Sequence, residues 1–177
     1  MKIYTKVGDH GQTKQVTGHM VAKTDPQIEA LGAIDEFQSY LGVAVAALTP
    51  ETRTMVASLQ TVQKKLYVLQ ADIAVPRSNQ MAIADTLWLE VQIDAYWAEM
   101  PHLNAFIIPG GLTGGAGAHL QFARTLARRA ERAVVALSVQ QDVSEACMTY
   151  LNRVSDFLYA AALYVNWLDG YAEIPSK

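Results

Sequence analysis

Met55, Leu59, Val62, Leu66, Leu69 and Ile73 succeed one another in steps of four and three residues, ending before Pro76. This rhythm matches the α-helical turn, puts all six side chains on one stripe, and demands a second apolar face to bury them. The same spacing recurs in Ile34, Phe37, Leu41, Val45 and Leu48. That run opens at Asp25-Pro26, where aspartate suits the N-cap and proline the first helical position, and Pro50 closes it. A third helix is expected around 84–98, with Leu87, Val91 and Tyr96 on its apolar side and Pro101 as its stop. A fourth should begin after the stretch PGGLTGGAG and run to about Leu137. A fifth follows Asp142 or Ser144 and carries Met148, Leu151, Val154, Leu158, Val165 and Leu168 before Gly170. Five amphipathic helices with short connections predict an all-α, up-and-down helical bundle preceded by a glycine-containing loop. The 177 residues suffice for one domain, with a loop over 1–24 and a bundle over 25–170, and 51% apolar content fills its core. No repeat, low-complexity tract or linker divides it.

Several function classes fall away on composition. Fourteen basic residues against 17 acidic ones leave a net charge of −3, without the basic footprint of a nucleic-acid binder. No window reaches the ~18 unbroken apolar residues of a membrane helix. The start, MKIYTKVGDHGQT, has no apolar core of signal-peptide length. A single cysteine, Cys147, leaves no internal disulfide framework and fits a reducing compartment. The expectation is a soluble, cytoplasmic protein.

Within the fourth helix, RTLARRAER (Arg124–Arg132) holds four arginines and one glutamate. At about 100° per residue, Arg124, Arg128, Glu131 and Arg132 share roughly one-third of the circumference. Phe122, Leu126, Ala130, Ala133 and Leu137 occupy the opposite sector, which should face the core. Like charges four residues apart repel by a few tenths of a kcal/mol, so such a stripe is either a solvated face or a grip for a polyphosphate. A second anion-seeking segment, TKVGDHGQTK (Thr5–Lys14), sets two glycines, two threonines and two lysines around Asp9. Glycines let backbone N–H groups approach an anion, although no Walker A pattern is present. Gly8-Asp9-His10-Gly11 taken alone also reads as a hairpin turn, and Lys23 as a solvated lysine.

Five motifs in order, KIYTKVGDHGQT, KTDPQIEALGAIDEF, FIIPGG, ARTLARRAER and YLNRVSDFLYAAALYVN, resemble the ATP:cob(I)alamin adenosyltransferases of the propanediol-utilisation type over nearly the whole chain. The resemblance implies a ferritin-like bundle assembled as a homotrimer, with active sites between neighbouring subunits. It implies ATP and Mg2+ as co-substrate and cation and a reduced corrinoid (cobalamin) as acceptor. Adenosylcobalamin and triphosphate are the products, with hand-over to adenosylcobalamin-dependent enzymes. By the same resemblance, ATP falls to Thr5, Lys6, Val7, Gly8, Thr13, Lys14 and Lys23 on the N-terminal side. Arg128, Arg129, Glu131 and Arg132 hold it from the arginine motif, and Asn152 from the last helix. Arg128 and Phe106 are the catalytic positions, with the Phe106 ring at the lower face of the corrin keeping an axial ligand away from cobalt. Asp35 and Arg124 match an ion pair that crosses the subunit contact.

The sequence also departs from that pattern. Val7 stands where a hydroxyl or amide is usual, His10 where a lysine is common, and Leu163 where an arginine is frequent, while GGLTGGAGAHL is longer and richer in glycine. Two other readings compete. A non-catalytic ATP or corrinoid sensor would keep the fold and lose turnover. A di-metal ferritin-like bundle needs two Glu-x-x-His pairs on helices. Only Glu99-Met100-Pro101-His102 has that spacing, and Pro101 breaks the helix beneath it; His10, His19 and His119 are scattered. No resident metal site is expected.

Overall fold

A computed structural model describes residues 3–101, 103 and 105–177. Five helices dominate it: α1 (Pro26–Ala46), α2 (Val56–Ala74), α3 (Ile83–Glu99), α4 (Gly117–Leu137) and α5 (Glu145–Leu168). The starts follow local chemistry. Asp25 accepts a hydrogen bond from the Gln27 amide at 2.9 Å with Pro26 in the first turn, and Ser144 caps α5 through the Cys147 amide at 3.3 Å. Asp85 reaches back to the Ala82 amide at 3.0 Å and so tethers the start of α3. A 3-10 turn at Arg53–Met55 leads into α2.

Helix α4 packs along both α1 and α5, α3 along α5, and α2 along α1. The ring closes between α2 and α3 through the Lys65–Asp85 ion pair and the 3.0 Å hydrogen bond from the Tyr96 hydroxyl to Ser58. The core between them includes Ile34, Phe37, Leu41, Leu59, Leu66, Leu120, Val134, Tyr150, Phe157 and Leu158. α3 and α4 are therefore not neighbours. The connection between them crosses one end of the bundle, and it is the one long connection among the expected short ones.

Two antiparallel ribbons accompany the helices, where the sequence pointed only to a hairpin turn at Gly8-Asp9-His10-Gly11. β1 (Gln12–Lys14) pairs with β2 (Met20–Ala22), and β3 (Ile107–Ile108) pairs with β4 (Ile174–Pro175). The first ribbon turns at 15–19, where Gly18 has φ +90° and the Gln15 amide donates to the His19 carbonyl at 2.8 Å. The hairpin turn thus lies beyond Gly8-Asp9-His10-Gly11, which forms a separate turn ahead of β1.

Two helix faces depart from the sequence expectation. In α3, Leu87 and Val91 are 54% and 61% exposed, whereas Leu89, Thr86 and Tyr96 are buried. Both faces of α3 are apolar, so periodicity alone does not choose between them. The choice falls to Tyr96, which stacks on Tyr164 at 4.8 Å while bonding Ser58. In α4, Leu126, Ala130 and Leu137 enter the core, but Phe122 stays half exposed, edge-on to Tyr40, and Ala133 is half-buried. None of the described helices is long and apolar enough to cross a membrane. Among the described residues no three His, Cys, Asp or Glu side chains gather as a metal set; His102 lies outside them.

Candidate functional site

Helix α1 and helix α4 run side by side, and their outward edges form the floor of a cleft of about 550 Å³. The β1–β2 ribbon supplies its rim. Thr13 and Lys23 enter from the ribbon, Glu29 and Glu36 from α1, and Arg129 from α4. Gly32 and Ala33 line it as well, so small residues leave the floor open. Arg129 forms an ion pair with Glu36 across it. Both groups are about half exposed, so the pair is weak, of order 0.2–1 kcal/mol, and exchangeable for a stronger anion.

Gly8 lies against this cluster. A β-carbon there would sit 3.3 Å from the Lys23 ammonium and equally close to the Gln12 carbonyl. The Lys23 amide donates to the Gly11 carbonyl at 2.9 Å, tying the end of the ribbon back to the loop. Lys6 adopts φ +62°, an unusual conformation for a residue with a side chain. Thr5, Lys6, Val7 and Lys14 are exposed around the same loop.

The rest of the arginine motif turns a different way. Glu131 accepts a hydrogen bond from the Asn152 amide at 2.8 Å, so these two expected ATP residues meet between α4 and α5. Arg128 and Arg132 are exposed and line no part of the α1–α4 cleft. Among the described residues they make no ion pair or hydrogen bond within the chain, whereas Arg153 holds both Glu90 and Asp156. One chain therefore brings together Thr13, Lys23 and Arg129 in one group and Glu131 and Asn152 in another. It does not bring the arginine stripe to face the lysine loop. Asp35 is exposed on the outside of α1, and Arg124 donates to Gln121 of its own helix at 3.1 Å.

Phe106 is 87% exposed, which rules out a core role. It stands just before β3, and its carbonyl accepts a hydrogen bond from the Ser176 amide at 2.7 Å. Nearby, Leu103, Leu163, Trp167 and Tyr171 line an apolar hollow of about 190 Å³ together with Met100 and Glu173. Burial pushes the Glu173 carboxyl above the usual glutamate range, against the opposing pull of a hydrogen bond from Asn166.

Three residues escaped the sequence reading. Glu29 and Glu36 had no visible partner until α4 was placed beside α1, although Glu36 adjoins Asp35 in a quoted motif. Asn166 is an amide inside an apolar run, and that was a legible sign of burial needing partners.

The cobalamin adenosyltransferase family profile matches residues 3–165. A corrinoid adenosyltransferase of Bacillus subtilis (strain 168) is 40% identical over 98% of this chain and 91% of its own length. The corrinoid adenosyltransferase PduO of Citrobacter freundii is also 40% identical, over 92% of this chain, which spans about half of that longer relative (49%). A variant of the PduO-type ATP:corrinoid adenosyltransferase from Lactobacillus reuteri, solved with cobalamin and ATP, superposes with a TM-score of 0.94. It is 32% identical, with coverage of 99% of this chain and 97% of that one. Helix order, the arginine-bearing α4 and the glycine loop at its side thus occur together in a chain matched along nearly its whole length, and the protein belongs to the cobalamin adenosyltransferase family.

Proposed function

We propose that this chain transfers the 5′-deoxyadenosyl group of ATP to the cobalt(I) of a reduced corrinoid, giving adenosylcobalamin and triphosphate. The convergence of Thr13, Lys23 and Arg129 on one cleft is the observation that carries the reading. It is joined by Arg128 and Arg132, which stand one turn apart with no carboxylate partner among the described residues.

Cobalt(I) is a strong nucleophile and needs no protein base. Its electron pair forms the cobalt–carbon bond at C5′ while the C5′–oxygen bond breaks, its electrons leaving with triphosphate. The side chains have three tasks: to hold the polyphosphate, to stabilise the charge that grows on it, and to keep water from the reaction. Thr5, Lys6, Val7, Gly8, Thr13, Lys14 and Lys23 form the loop side of the ATP site. Arg128, Arg129, Glu131, Arg132 and Asn152 form the helix side. A magnesium ion brought in with ATP would offset part of the polyphosphate charge. Glu29 and Glu36 offer carboxylate oxygens beside Lys23 and Arg129, which suits a cation held mainly by phosphate oxygens and water.

Loop and stripe diverge within one chain, so the complete site lies between subunits of a homotrimer. The loop of one faces the stripe of the next, and Asp35 pairs with Arg124 across the contact. Phe106, exposed and fixed at its carbonyl, projects toward the corrin and denies cobalt its lower ligand, which eases reduction of cobalt(II) to cobalt(I). The protein works in the cytoplasm and passes its product to adenosylcobalamin-dependent enzymes. A single-turnover reaction of ATP with chemically reduced cobalamin, followed by absorbance, tests the reading. Appearance of the adenosylcobalamin spectrum supports it, and tight binding of both substrates without that spectrum makes the protein a sensor.

A further inference from the structure

Asn166 is 1% exposed near the end of α5, yet its side chain reaches three separate segments. Its amide nitrogen donates to the Gly110 carbonyl at 3.1 Å and to Glu173 at 2.7 Å. Gly110 follows β3 and Glu173 precedes β4, so the two hydrogen bonds span the ribbon beyond the Ile108↔Ile174 pair. The amide oxygen has no hydrogen-bond partner among the described residues and is wedged against the start of α4. A β-carbon on Gly117 would lie 1.8 Å from that oxygen, and one on Gly111 would lie 3.0 Å from it. Gly111 and Gly117 therefore leave room for one buried amide to pass between loop, tail and helix.

The ribbon carries Phe106 at its other end, where Ser176 holds the Phe106 carbonyl. We infer that Asn166 is a positioning residue for Phe106, clamping the β3–β4 ribbon at its base so that the exposed ring stands at a fixed height above the bundle. The inference rests on the reading that Phe106 acts at the lower face of the corrin. Asn166 itself, buried under the ribbon, touches neither substrate; it acts on the reaction through the ribbon alone. Glu173, half-buried, is the other half of the clamp and can be altered without opening the core.

The test uses Asn166→Ala, Glu173→Ala, Glu173→Gln, Phe106→Ala and the Asn166→Ala/Phe106→Ala double variant of the full chain. Each is assayed from cob(II)alamin with a reduced flavin as electron donor and from pre-reduced cob(I)alamin. Amide hydrogen exchange at Ile107, Ile108 and Ser176 reads the ribbon directly. The expectation is faster exchange and a loss of about tenfold or more from cobalt(II) in Asn166→Ala and Glu173→Ala, with only about two- to threefold from cobalt(I). Glu173→Gln keeps an acceptor oxygen and should stay close to wild type. The double variant should be no worse than Phe106→Ala alone, because both changes remove the same effect. Unchanged exchange in both clamp variants, equal losses from both cobalt states, or multiplicative losses in the double variant would overturn the clamp. If Asn166→Ala does not fold, the two Glu173 variants decide the question alone. A Phe106→Ala variant that loses equally from both cobalt states sinks the corrin reading instead, and the exchange data show whether the ribbon is clamped all the same.

Discussion

Replacing Arg128 by alanine separates chemistry from folding more cleanly than any other change in the arginine motif. Arg128 is exposed and has no ion pair or hydrogen bond among the described residues, so its removal should alter stability by no more than about 0.5 kcal/mol. Arg129 offers no such separation, because its loss also frees Glu36. A charged donor aimed at a leaving triphosphate is worth roughly 2–4 kcal/mol in the transition state. At about 1.4 kcal/mol per decade, kcat/KM of Arg128→Ala should fall about 30- to 1,000-fold. Arg128→Lys should recover only part of that, since an ammonium keeps the charge and loses the planar fork. The measurement is steady-state formation of adenosylcobalamin from pre-reduced cobalamin at varied ATP, with urea unfolding of each variant at matched protein concentration. Wild-type kcat/KM in Arg128→Ala, with helical circular dichroism intact, would falsify the assignment. A drop in stability of several kcal/mol would show that the side chain has a structural partner in the assembled protein.

Three further outcomes follow from other parts of the molecule. Gly117→Ala gains at most about 1 kcal/mol of helix propensity, but the new methyl meets the Asn166 oxygen at 1.8 Å. Overpacking at about 1–3 kcal/mol and two disturbed hydrogen bonds at about 1 kcal/mol each outweigh the gain, so Tm should fall by about 5–10 °C; an unchanged Tm refutes the packing. Asp35→Asn should weaken trimer formation by leaving Arg124 unmatched, at a cost of about 3–5 kcal/mol if the pair is buried between subunits. An Asp35→Arg/Arg124→Asp swap should restore part of it in sedimentation velocity, and a fully active wild-type monomer would end the shared-site idea. Burial raises the Asp72 carboxyl, but hydrogen bonds from Ser78 and the Met81 and Gln80 amides outweigh it and leave the pKa below 3.8. Its stabilising contribution is therefore complete above that value and fades as pH falls through the lower folded-state pKa; Asp72→Asn should flatten this acid limb of the urea midpoint, and an unaltered limb refutes the linkage.

Much of the helical frame was legible because its signals are local. Asp25-Pro26, Pro50, Pro76 and Gly170 punctuate the chain through φ restriction and capping, and these act within a few residues. The α2 stripe has one apolar face, so the 3.6-residue period alone names its buried residues, and Leu59, Val62, Leu66 and Leu69 are all buried. The order of motifs, which gave the family, is likewise a property of the string. Tertiary structure decided what depends on a neighbour. α3 is apolar on both sides, and contacts with its neighbours, among them the Tyr96–Tyr164 stack and the Ser58 hydrogen bond, determine that Leu87 and Val91 face outward. Glu36 became part of a cleft because α1 lies beside α4, and Arg129, rather than Arg128 or Arg132, entered that cleft because it projects about 100° round the helix from Arg128 and about 60° from Arg132. The glycine-rich stretch reads from sequence as a loop insertion; in the fold two of its glycines, Gly111 and Gly117, make room for Asn166, a residue some 50 positions away. Contacts between residues distant in sequence depend on how whole faces fit together, and no local periodicity encodes that fit.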